Sequence, residues 1–175
     1  MSQAEREAGR IFGQSGIHLA WTNCPAQPEP GSPVACEGEP APGEMRVRML
    51  KRHLNRGFQA SIFGYAIAPV LASVYYESAL RLAQTTTNSE SDLFRREIEA
   101  STIRGCLIAH EIGRLFLGQN QHAAGGIMRA RWKIRDIQLA LQGGLLFTRE
   151  QSGMLLRNAR LLTERRQQEK LQTSR

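Results

Sequence analysis

The segment from Cys106 to Trp132, CLIAHEIGRLFLGQNQHAAGGIMRARW, gathers the residue types from which hydrolytic metal sites are made. His110 and Glu111 open the pattern H-E-x-x-H, in which two histidines four apart share a helix face and the glutamate between them activates metal-bound water. The second histidine is absent. Its place, one turn after His110, is taken by Arg114, a permanently charged donor with no lone pair to offer a cation. Gly118 suits the left-handed position that ends a helix, and His122 follows where a returning chain brings back a further ligand. Gly126-Ile127-Met128 then supplies a tight turn whose methionine forms an apolar floor.

Taken together, His110-Glu111, Gly118, His122 and Met128 resemble the metzincin-type zincin metallopeptidases, whose long motif is H-E-x-x-H-x-x-G-x-x-H followed by a Met-turn. The spacing departs from that motif: Gly118 and His122 each leave one extra residue, and Met128 comes early. A nearer likeness is to short bacterial peptidase-like proteins carrying HEIGHLLLG, a histidine, GIMRA and a tryptophan, and it extends from Ala60 to Gln151. The resemblance implies an α+β, metzincin-like single domain over residues 1–175. A twisted mixed sheet would pack on a long motif helix, with a further helix at the C-terminus. It implies zinc as the cofactor, His110 and His122 as ligands, Glu111 as general base, and a peptide or protein as substrate or ligand.

Arg114 sets the expectation for activity. Losing one of four ligands from a site worth roughly 10–16 kcal/mol weakens zinc by about a hundredfold or more. The expectation is therefore a protein with impaired or lost catalysis, in which the Arg114 guanidinium pairs with Glu111. Two alternatives stand beside it. One is an active zinc peptidase with a substitute third ligand, for which Cys106, one turn before His110, is a candidate. The other is a basic protein that binds nucleic acid or a partner through its C-terminal helix. No zinc-finger spacing, phosphate loop or interleaved aromatics accompany that last reading, so nucleic acid is disfavoured. His18 and His53 stand in no motif and read as surface or satisfied histidines.

With 41% apolar residues, 175 residues suffice for one buried core. The net charge of +7 and a pI near 10.0 permit attraction to acidic surfaces, but the basic residues look dispersed except between Arg157 and Lys170. Three cysteines are too few for a disulfide scaffold, although Cys24 and Cys36 flank a loop and pair in an oxidising compartment. Met1 to Arg10 is polar, unlike a signal peptide, which leaves a cytoplasmic protein or one following a removed leader. The most apolar run, Ile62 to Tyr76, is interrupted by Pro69 and too short to span a membrane.

The elements that must position the site follow from periodicity. Gln3 to Gly13 reads as a helix and Gly16 to Trp21 as a strand. Thr22 to Gly43 holds six of the seven prolines and reads as a long loop. Strands are expected at Met45–Leu50, Phe58–Ala68 and Val70–Tyr76, either of the last two serving as the edge above the site. Helices are expected at Glu77–Gln84, Asp92–Leu117 with one buried side, and Ile134–Gln142. A final helix is announced by the Thr148–Gln151 capping box. The charged tail, Thr163 to Arg175, reads as frayed.

Overall fold

The computed structural model describes residues 2–25, 27, 31, 33, 36, 38–41, 43–51, 64–67, 70–84, 93–118 and 122–173. Phe58 to Phe63 and Ala68 of the second expected strand, and His53, lie outside them.

The first helix, α1 (Gln3–Gln14), starts at a capping box in which the Ser2 hydroxyl accepts from the Glu5 amide at 3.3 Å while the Glu5 carboxylate accepts from Ser2 N. Ala4, Ala8, Ile11 and Phe12 form its buried face. The strand expected at Gly16 to Trp21 does not form. Its alternation is real, with Ile17 buried, His18 and Ala20 exposed, and Leu19 and Trp21 packed on the core. Alternation reports which side is buried; a strand also needs a ladder partner, and the segment pairs with none of the described strands.

Three strands form a mixed sheet in the order β1 (Arg46–Leu50), β3 (Leu71–Tyr75), β2 (Gly64–Ile67). The pairing is parallel between β1 and β3, Arg46 opposite Leu71, and antiparallel between β2 and β3, Gly64 opposite Val74. This decides the edge left open by the sequence: β3 is central, and among the described residues β2 is a sheet edge. Helix α2 (Tyr76–Gln84) follows β3 without a loop, burying Ser78, Ala79 and Ala83.

The long helix α3 (Leu93–Leu117) is the axis of the molecule. It was expected to bury one side, but every residue from Gly105 to Gly113 is buried, because α1, α2 and the sheet pack on it from different directions. Gly105 permits the closest of these approaches, since a Cβ there would lie 2.7 Å from the Ala4 carbonyl oxygen and 2.6 Å from Glu7 Cβ. Helix α4 (Ile134–Leu141) ends at Gly143, which has positive φ. Helix α5 (Arg149–Thr173) begins at the expected box, Thr148 N donating to Gln151 Oε1 at 2.9 Å and Gln151 N to Thr148 Oγ1 at 3.3 Å. The tail expected to fray instead stays helical to Thr173, and Arg166 ties it back to Glu44 at 3.1 Å. Cys24 and Cys36 are joined in a disulfide. No helix among the described residues is long and apolar enough to cross a membrane.

Candidate functional site

Helix α3 carries His110, Glu111 and Arg114 near its C-terminal end, and the chain must turn back there for His122 to reach them. Gly118 allows it: its φ of 105° is available to glycine at little cost, and its amide bonds the Arg114 carbonyl at 3.0 Å. The returning segment is fixed by Ala123 N bonding to Met128 O at 2.9 Å and Ile127 N to Leu146 O at 2.9 Å. Gly126 supplies the turn with φ of 69°, and a Cβ there would meet the Leu146 carbonyl oxygen at 2.8 Å. Met128 is fully buried against α3, its Sδ standing 2.8 Å from where a Gly113 Cβ would be.

His110 is clamped by this turn. Its Nδ1 lies 2.7 Å from the Ile127 carbonyl oxygen. A carbonyl only accepts, so Nδ1 carries the proton and Nε2 keeps the lone pair. Trp132 Nε1 donates to the same carbonyl at 3.2 Å and sets its ring edge-on to His110 at 6.1 Å between centroids. His122 stacks on His110 at 5.7 Å, but it is exposed. The sequence thus brings the two histidines together.

Arg114 Nη1 lies 3.0 Å from Glu111 Oε2, with the glutamate side chain 2% exposed and the arginine 17%. Burial pushes the Glu111 carboxyl upward and Arg114 pulls it part of the way back, leaving it at about 7. Burial lowers His110 to about 4; the Ile127 bond opposes this, while His122 and Arg114 reinforce it. Burial and Arg114 also lower His122. At neutral pH His110 is an uncharged imidazole beside a fixed guanidinium.

The described residues do not fit a zinc ion. Two imidazoles stack, but no third His, Cys, Asp or Glu joins them in a possible metal group among the described residues. Arg114 adds a fixed positive charge that would repel a dication. Cys106, the candidate substitute, is turned to α1: its Sγ contacts Glu7 Oε1 at 4.0 Å, and burial with Glu7 nearby raises its thiol pKa, keeping it protonated. His18 lies exposed beyond α1.

The pattern of residue types in the sequence did not single out Gly64. A Cβ at this position of β2 would collide with the Ser73 carbonyl oxygen and approach Glu111 Cγ to 3.0 Å. The edge strand therefore lies directly against Glu111, and the available signal was a glycine inside a strand pattern. Tyr75, at the end of β3, has its pKa raised by burial, with Tyr65 and Glu111 adding to the effect. Compared with known proteins, the chain matches no family model, no curated protein and no solved structure.

Proposed function

We propose that this chain is a metallopeptidase-like protein of metzincin type that has lost its metal and holds an extended polypeptide without cutting it. The observation that carries the proposal is the ion pair between Arg114 and Glu111 at 3.0 Å. The residue required as general base is engaged by a cation that replaces a ligand, so both halves of the hydrolytic chemistry are blocked by one substitution. Descent is supported by the His110 ring held by a carbonyl through Nδ1, as second-shell partners orient metal-binding histidines, with His122 stacked beside it and Met128 buried against Gly113 of the same helix. Peptide binding is supported by β2, which among the described residues is a sheet edge with main-chain donors and acceptors next to Glu111.

The test is zinc bound per chain after dialysis against buffered free zinc. The wild-type protein is expected to hold almost none. Arg114→His supplies the missing ligand, releases Glu111 and is expected to gain about a hundredfold or more in zinc affinity. Stoichiometric zinc in the wild type, together with peptide cleavage that Glu111→Gln abolishes, would overturn the proposal in favour of an active peptidase. No zinc gain in a folded Arg114→His protein would count against inherited ligand geometry.

A further inference from the structure

The net charge of +7 is not evenly distributed. Between Glu111 and Glu150 stand six Arg or Lys residues, at 114, 129, 131, 133, 135 and 149, and one acid, Asp136. Asp136 is buried, accepting from Lys133 N at 2.7 Å and lying 3.6 Å from Arg129 Nε. Arg131, Lys133 and Arg135 are exposed on the loop that enters α4 and on its first turn. Among them stands Ile134, 61% exposed, whereas Leu139 at 36% lies about 140° further round the helix. This surface adjoins the site: Trp132, whose ring faces His110, sits in the chain between Arg131 and Lys133.

We infer that this surface docks an acidic polypeptide segment, its carboxylates facing Arg131, Lys133 and Arg135 and an apolar side chain resting on Ile134. The inference rests on the peptide-binding reading of the neighbouring cleft and names the partner's chemistry. An exposed aliphatic side chain, Ile134, between the cations selects polypeptide over nucleic acid, whose phosphates and bases need charge and aromatic stacking. Two exposed aliphatics on a short helix bury too little area to anchor the protein on a bilayer. A strand edge, by contrast, recognises only another polypeptide backbone.

Binding of fluorescein-labelled peptides, followed by anisotropy, tests this with the full chain. An alternating Glu-Val peptide is expected to bind tighter than an alternating Ser-Val peptide by roughly tenfold at low salt, with the advantage shrinking as salt is added. The triple variant Arg131→Glu, Lys133→Glu, Arg135→Glu should lose that advantage and leave Ser-Val binding unchanged. Circular dichroism checks its fold. In the single variant Ile134→Ser, Glu-Val binding should weaken about threefold. Equal affinity for the two peptides, or a triple variant that keeps the preference, would overturn the acidic platform while the cleft reading stood. No binding of either peptide would overturn both. Displacement of the Glu-Val peptide by a single-stranded oligonucleotide or phosphatidylserine vesicles at lower concentration than unlabelled Glu-Val would replace the polypeptide with that partner.

Discussion

The Arg114 guanidinium lies 3.0 Å from the Glu111 carboxylate across a single helical turn, and Glu111 is almost wholly buried. A carboxylate in that setting is tolerated because its partner is on the same rigid helix, placed three residues away where side chains meet. Removing Arg114 leaves the charge without compensation, whereas removing both groups leaves none to compensate.

A double-mutant cycle measures this. Above the Glu111 pKa of about 7, Arg114→Ala is expected to cost about 2 kcal/mol, and Arg114→Ala in the Glu111→Gln background about 1 kcal/mol less. Urea unfolding of the four proteins gives the coupling directly. Additive losses would mean that the pair contributes nothing to stability.

The same helix turn carries two opposed titrations. Glu111 rises from 4.5 to about 7 on folding, so the folded state binds the extra proton in that window; its contribution is full below 4.5 and lost as pH rises through 7. His110 falls from 6.5 to about 4, so the unfolded state binds the extra proton; its contribution is full above 6.5 and lost as pH falls through 4. The two slopes oppose each other between 4.5 and 6.5. Glu111→Gln removes one of them. Its stability relative to wild type should increase with pH across the Glu111 window, by on the order of 2–3 kcal/mol. Thermal or urea melts across that range check the sign, and a difference independent of pH would refute the buried-carboxylate account.

Glycines in α3 record how tightly the helix is enclosed. A Cβ at Gly105 would press on the Ala4 carbonyl and Glu7, and one at Gly113 on Met128 and Phe147, both contacts at 2.6–2.8 Å. Alanine normally improves a helix by roughly 1 kcal/mol. At Gly105 the clash is with backbone and should reverse the sign, for a net loss of about 2 kcal/mol. Gly9, in α1 with nothing within 4 Å of its would-be Cβ, is the control and should gain about 0.5–1 kcal/mol as alanine. Equal gains at Gly9 and Gly105 would refute the close crossing of α1 and α3.

Much of this arrangement was legible without coordinates. Helix positions came from apolar spacing and from the Thr148–Gln151 cap, because these are local and each is satisfied within a few residues. The strand read at Gly16 to Trp21 shows the limit: alternation of Ile17, Leu19 and Trp21 marked a buried side, but pairing depends on a distant partner. The tail failed in the other direction. Its polarity suggested fraying, yet the helix continues, with its Arg166 held by Glu44, which lies 122 positions away.

The sequence by itself determined the chemistry available: His110, Glu111 and His122 as residue types that can bind metal or move protons, Arg114 as a fixed charge one turn after His110, and glycines where the chain must turn. Residue type and short spacing suffice for those. Only the tertiary structure decided that Ile127 orients His110, that Cys106 faces Glu7 rather than the histidines, and that β2 brings Gly64 against Glu111. It also left Arg131, Lys133 and Arg135 exposed around a buried Trp132. Those relationships depend on carbonyl directions, helix rotation and the packing of elements far apart in the chain, none of which a local pattern encodes.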